Sequence, residues 1–302
     1  MQGRKIGILE LRDDSFVIDV VSKLGDLPVE FLSFAEQTIP ITGDYGVIVD
    51  RLSFRFPFLK EVVKSLSLGG SYVINNPFAA SASNKLVDEL IFQLLQIPSP
   101  KCVVLPGSEL KQELGGLVLE PSWSRIADEV GLPCVFKPID GYGWDDVYVA
   151  NTLEELKECY ASHSAGKVWL VQRKINYKYY YRVFCFDQRD VLFIRWIPKP
   201  FAMGQYLYSD LQEINDIKGK LTEQTIRMNL CLDMDVNVVE WCIDEQGQPW
   251  VIDAFNEVPD INKNCIPGDY YWWIVDRFVT CIKDKLTSDK RNKHSFTLPT
   301  VL

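Results

Sequence analysis

The stretch Asn237–Asp260, NVVEWCIDEQGQPWVIDAFNEVPD, decides how the chain is read. Two apolar runs flank a polar turn at Asp244–Gln248, the pattern of two antiparallel strands joined by a hairpin. Each run carries a carboxylate among apolar residues, Glu240 on the first and Asp253 on the second, with Asn256 shortly beyond. The turn near Gly247 lies about midway, so Glu240 and Asp253 are expected opposite or diagonal to one another. A carboxylate among Val238, Val239, Trp241, Val251, Ile252 and Phe255 needs a cation or a hydrogen-bond partner. Two carboxylates and an amide oxygen are hard ligands, suited to Mg²⁺ or Mn²⁺ shared with phosphates. The competing reading is a pair of acids facing solvent at a sheet edge, and the apolar flanks disfavour it. Ala254 and Phe255 intervene between Asp253 and Asn256, so a bulge is expected if both contact one ion.

Upstream, VFKPIDGYGWDDV places Lys137 on an apolar strand just before a glycine turn. A strand-borne lysine offers a point charge for phosphate, and a glycine turn lets backbone N–H groups approach phosphate oxygens. A surface lysine beside an ordinary hairpin is the even alternative. VWLVQ, ending at Gln172, is an apolar strand leading into a polar linker, and its backbone could meet an adenine edge. Arg182 enters the apolar strand YYYRVFCF and needs an anion, either a phosphate or a structural carboxylate. Arg195, in FIRWI on the paired strand, is expected to face the same site. Arg195, Lys199 and Tyr206 belong to the stretch after that strand and are candidates for substrate binding.

The first hundred residues alternate strand and helix, which implies a parallel sheet with helices on both faces. One amphipathic helix is expected over SASNKLVDELIFQLLQ, capped by Ser81 or Ser83. IPSPKCVVLP marks a boundary. GSELKQELGGLVLEPS reads as a loop with a poor helix, and TLEELKECYASHSA as a helix capped by Thr152 with Glu155 at the capping-box position. YYYRVFCFDQRDVLFIRWIPK is a hairpin around Asp187–Asp190, residues 201–218 are irregular, and KLTEQTIRMNLCLDM and DYYWWIVDRFVTCIKDKL are helices. The polar tail from Ser288 is expected to fray.

With 302 residues, 47% of them hydrophobic, the chain can bury a large core or two to three lobes around a cleft. A net charge of -9 argues against nucleic acid and anionic membranes as partners, and it requires any nucleotide to be held by a few placed lysines plus a divalent cation. The 8 cysteines form no CxxC pair and no zinc spacing, and most lie in apolar runs, which suits a reducing cytoplasm. MQGRKIGILEL reads as a first strand and not as a signal peptide, and no apolar run approaches the ~20 residues a membrane helix needs. His163 and His294 sit in polar contexts and are expected at the surface. The aromatic segments Tyr177–Tyr181 and Tyr270–Trp273 read as core or homodimer contacts, with a peptide groove as the alternative.

Taken in order, these features resemble the ATP-grasp superfamily, the group of glutathione synthetase and D-alanine–D-alanine ligase, over about Lys5 to Leu286. The resemblance implies an α/β fold with three parts: an N-terminal parallel-sheet lobe over 1–100, a small central lobe over 101–173 and a metal-binding lobe over 174–302. It implies phosphate contacts from Lys85 and Lys137, a flexible loop at Gly141 and Gly143, and adenine contacts along Gln172, Lys174 and Ile175. Arg182 would approach the γ-phosphate or an acyl phosphate, and Glu240, Asp253 and Asn256 would hold Mg²⁺ or Mn²⁺. The implied activity is an ATP-dependent ligase joining a carboxylate to an amine or thiol, on an amino acid or peptide. A small-molecule kinase and a non-catalytic nucleotide-binding regulator are the alternatives. The usual glycine loop carries no acid, whereas Asp145 and Asp146 follow here, where they either disturb the phosphates or point away.

Overall fold

A computed structural model describes residues 4–295 apart from 38, 40, 42, 142, 144 and 199–204. The chain opens with β1 (Lys5–Leu9), α1 (Ser15–Leu24), β2 (Val29–Phe31), β3 (Tyr45–Asp50), α2 (Pro57–Leu68) and β4 (Tyr72–Ile74). The four strands pair in parallel in the order β2-β1-β3-β4. Asp14 starts α1 by accepting from the Val17 N–H at 2.8 Å, and Pro57 occupies the first turn of α2, where a missing N–H costs nothing.

Two helices follow where one was expected: α3 (Pro77–Ala82) and α4 (Lys85–Leu94). Ser83 is extended between them, and Asn84 caps α4 by accepting from Leu86 and Val87. Asn84 therefore takes the role assigned to Ser81 or Ser83, and Lys85 becomes the first residue of the helix.

The central part comprises β5 (Cys102–Leu105), α5 (Leu110–Leu114), α6 (Trp123–Val130), β6 (Cys134–Pro138), β7 (Tyr148–Ala150), α7 (Leu153–His163) and β8 (Trp169–Arg173). Its antiparallel sheet runs β5-β8-β6-β7, and the stacked rings of Phe136 and Trp169, 4.1 Å apart, anchor its core. Thr152 caps α7 by accepting from Glu155, whose carboxylate takes the Asn151 N–H at 2.7 Å.

The last part comprises β9 (Tyr177–Phe186), β10 (Asp190–Ile197), β11 (Gln205–Leu207), α8 (Lys218–Leu232), β12 (Val236–Asp244), β13 (Pro249–Asp253) and α9 (Gly268–Thr287). Its strands are antiparallel in the order β11-β10-β9-β12-β13. One face, with Phe184, Ile194, Val238 and Cys242, shares a core with α9, α1 and the first sheet. The other, with Val183, Phe193, Val239 and Trp241, packs on α8 and on Phe92 of α4. Residues 201–218 are not wholly irregular, because Gln205–Leu207 pairs with β10 and α8 begins at Lys218.

The tail differs from expectation as well. Asn292 is buried, with its Oδ1 accepting from the Val73 N–H and its Nδ2 donating to the Val73 carbonyl, both at 2.8 Å. One amide thus stands in for a strand partner along the open edge of β4, and the chain is held well past Ser288. Of the aromatic segments, Tyr180, Tyr181 and Tyr271 are buried core, while Tyr177 and Trp272 stay exposed. His163 is exposed and stacks on Tyr148 at 4.3 Å, whereas His294 is half-buried against Phe78. All eight cysteines are free. Among the described residues no helix is long and apolar enough to cross a membrane.

Candidate functional site

Register builds the centre of the site. Glu240 of β12 lies directly opposite Asp253 of β13 on one side and Arg182 of β9 on the other. Directly opposed residues in an antiparallel sheet point to the same face, so all three side chains converge. The pairing steps from Glu240–Asp253 to Trp241–Val251, which leaves Ile252 as the extra residue of a bulge. The bulge therefore precedes Asp253, and the expected one between Asp253 and Asn256 is not needed. β13 ends at Asp253, and Asn256 is fixed in the loop beyond. Its N–H donates to Asn237 Oδ1 at 2.9 Å and its Nδ2 to the Val238 carbonyl at 2.8 Å. That orientation leaves Asn256 Oδ1 as the atom with ligand character.

Glu240, 8% exposed, has Arg182 Nε 3.2 Å from its Oε1 and accepts from the Tyr180 hydroxyl at 2.6 Å through its Oε2. Burial raises its pKa above the usual carboxylate range, with Arg182 acting against the shift. The Arg182 guanidinium lies 4.8 Å from the centre of the Trp196 ring and donates through Nη1 to the Tyr206 hydroxyl at 2.6 Å. Tyr206, on β11 opposite Trp196, therefore belongs to this face. Arg195 does not. Ile194 is the residue opposite Arg182, so Arg195 points to the other side of the sheet. There it lies over the Tyr179 ring at 4.9 Å and 3.7 Å from Glu213 Oε1. Lys199 lies outside the described residues.

The other wall comes from the central sheet and α4. Lys137, near the end of β6, is 6% exposed, and among the described residues its ammonium forms no ion pair. Burial lowers its pKa, while Asp253 pulls the other way. The Lys85 ammonium donates to the Gly141 carbonyl and lies 3.8 Å from Asp253 Oδ2. Lys85 and the glycine turn thus meet directly. A Cβ on Gly141 would come within 2.5 Å of Pro138 Cγ, and Gly143 has φ 67, so both positions suit glycine. Asp146 is paired with Lys167 and accepts from the Tyr148 hydroxyl, and it forms no ion pair with Lys85 or Lys137 among the described residues.

Gln172 sits in the middle strand, paired with Cys102 of β5 and Val135 of β6, and its side chain donates to Glu89 Oε1 at 2.6 Å. Its amide is committed. The Lys174 N–H is bonded to the Pro133 carbonyl at 3.1 Å, and the Lys174–Ile175 peptide beyond it lies past the paired part of β8.

Two residues of this wall, Asp88 and Glu89, were not singled out from the sequence. Both are buried on α4. Lys85, Asp88, Glu89 and Phe92 recur at helical spacing, so the face that buries Phe92 also turns both acids inward. Burial, then Asp253, pushes the Asp88 pKa up to about 8. Burial also raises the Glu89 carboxyl, against hydrogen bonding and the Lys137 charge. Past Asn256, a cavity of about 30 Å³ lies at the ends of β3 and β4 among Asp50, Lys60, Asn75 and Glu257.

Among the described residues no three His, Cys, Asp or Glu side chains gather closely enough to hold a metal by themselves. Hard oxygens are nevertheless present in Asp253, Glu240 and Asn256 Oδ1, and the buried Asp88 Oδ2 has no hydrogen-bond partner among the described residues. Such a set fits a divalent cation that completes its shell with phosphate oxygens.

A parallel sheet, a small antiparallel sheet and a larger antiparallel sheet, with acids and lysines converging between the last two, form the ATP-grasp fold. The ATP-grasp ligase PsnB, solved with a minimal precursor, is 15% identical, with a TM-score of 0.64 over 94% of this chain and 99% of that one. D-alanine–D-alanine ligase from Bacillus anthracis, solved with ATP, is 14% identical, with a TM-score of 0.66 over 94% of this chain and 96% of that one. A RimK-domain ATP-grasp protein from Sphaerobacter thermophilus is 16% identical, with a TM-score of 0.65 over 94% of this chain and 100% of that one. No family model matches the sequence, and no curated protein matches it.

Proposed function

We propose that the chain is an ATP-dependent ligase that joins the carboxylate of an amino acid or peptide to an amine through an acyl phosphate. The observation that carries the reading is the cross-strand set Arg182–Glu240–Asp253 facing Lys85 and Lys137. Lys137 is a buried ammonium without an ion pair among the described residues, the state expected of a group that receives a phosphate. A bound Mg²⁺ or Mn²⁺ would neutralise charge on the phosphates. Asp253, Asn256 and Glu240 would hold it, and Lys85 and Lys137 would hold the phosphates. The substrate carboxylate oxygen attacks the γ-phosphorus, and ADP leaves. Arg182, kept in place by Trp196 and Tyr206, stabilises the transferred phosphoryl group. The amine then displaces inorganic phosphate. Catalysis is positioning and charge stabilisation, with no side-chain nucleophile.

The solved relatives support the substrate class, since one is named as a ligase of D-alanine and another was solved with a precursor peptide. Titration calorimetry with Mg-ATP, followed by ADP release over a library of acids and amines, tests the reading. Mg-ATP binding and ADP release that requires both an acid and an amine are expected. ADP release with the acid alone would make the protein a kinase, and a lack of Mg-ATP binding would sink the reading.

A further inference from the structure

Helix α4 runs beside the outer edge of β13. The Val251 N–H donates to the Pro98 carbonyl at 2.9 Å, just beyond the helix, and Phe92 packs into the core that contains Val251. At the other end Lys85 lies 3.8 Å from Asp253. Asp88 sits between these contacts and is 2% exposed. Its Oδ1 accepts from Ser83 Oγ at 3.1 Å, while its Oδ2 is buried with no hydrogen-bond partner among the described residues. A buried acid that serves only to hold a fold has donors on both oxygens, because a lone one is costly. Here the charges that act on it most are the like charge of Asp253, the ammonium of Lys85 and the like charge of Glu89.

We propose that Asp88 is a further oxygen ligand of the divalent cation, offering Oδ2 beside Asp253. The inference rests on the nucleotide and metal reading above. The phosphates of a nucleotide compete with Asp253 and Asp88 for Lys85. Once Lys85 turns to them, the buried Asp88 and the partly exposed Asp253 lose its charge, and a divalent cation beside them replaces it. Ser83, in the extended link between α3 and α4, fixes the carboxylate by holding its other oxygen. The break between the two helices thus acquires a purpose, since a continuous helix would place Ser83 differently.

The test uses the full chain and Mn²⁺ titrated in the presence of ADP, with free Mn²⁺ read by electron paramagnetic resonance. Asp88→Asn should weaken Mn²⁺ binding at least about tenfold, in the range seen for residues that orient or complete a metal site. ADP binding in EDTA should be no weaker than in wild type. The same variant, melted in EDTA without nucleotide, should unfold at a higher temperature than wild type, because an acid whose Oδ2 lacks a hydrogen-bond partner among the described residues has been removed from the interior. Ser83→Ala keeps the charge and removes its donor, and it should weaken Mn²⁺ several-fold. Wild-type Mn²⁺ affinity in both variants, with Asp253→Asn impaired, overturns the role of Asp88 and leaves the wider reading standing. A lower melting temperature in Asp88→Asn with Mn²⁺ affinity unchanged marks a structural acid and also overturns it. Wild-type protein that binds no Mn²⁺ with ADP overturns the nucleotide reading and this inference together.

Discussion

Lys285 and Lys137 are lysines of nearly equal burial, 5% and 6% exposed, in opposite electrostatic states. Lys285 sits 2.7 Å from Asp235 Oδ1 and 2.6 Å from Asp187 Oδ1, over the ring of Tyr72, whose hydroxyl closes the cluster on Asp235 at 2.8 Å. Burial opposes its charge, but the two aspartates outweigh it and raise its pKa above the ordinary lysine value. Lys137 has no such pair among the described residues, and burial wins, so its pKa falls. One cluster is saturated by its own chain and ties α9 to the sheets. The other is left short of partners among the described residues, as the proposed nucleotide site would be before its ligand arrives.

The contrast yields a graded series of outcomes. Lys285→Met should cost about 3–5 kcal/mol of stability, because it strands the buried Asp235 and takes one of two cations from Asp187. Denaturant unfolding measures this, and nucleotide affinity in the surviving fold should not change. Lys137→Met should reduce turnover by about 10²–10³-fold while leaving the denaturation midpoint equal to wild type or higher. A Lys137→Met protein that unfolds easily would erase the distinction between the clusters.

A further outcome is the pH dependence of the metal-free, nucleotide-free protein. With its pKa near 8 when folded against an ordinary value of 3.8, Asp88 keeps a proton that the unfolded chain has already lost. The folded state then binds more protons than the unfolded one. Stability should therefore fall as pH rises between these values, by up to about 1.4 kcal/mol per pH unit. Melts in EDTA across that range, flattened in Asp88→Asn, would show it. The smallest effect is that of Arg195→Ala, which should alter Mg-ATP affinity by less than about threefold, because Arg195 faces away from the cleft.

The hairpin over 237–256 was legible because strand alternation and turn chemistry agreed and the two acids stood out against apolar flanks. The side taken by Arg195 was not. It depends on the turn between β9 and β10, where Phe186 pairs with Asp190 and both Asp187 and Gln188 adopt left-handed backbone, with φ 49 and 57. A shift of one residue there would reverse every side chain on β10. The start of α4 was ambiguous because Ser81, Ser83 and Asn84 are all competent caps. Asn292 looked like part of a solvated run because its partner, the edge of β4, lies far away in sequence. Asp88 and Glu89 could have been found, since their spacing from Phe92 was already visible.

Helix α9 has a consequence for the order in which the molecule can assemble. Phe278, Ile282 and Tyr271 complete the core around β1, β3 and α1, so the first sheet is sealed by residues synthesised long after its own strands. Until then its apolar face stays open, and the N-terminal lobe cannot finish folding during synthesis as an independent early unit would. A chain halted before Gly268 should therefore emerge as a chaperone client, whatever the integrity of its cleft.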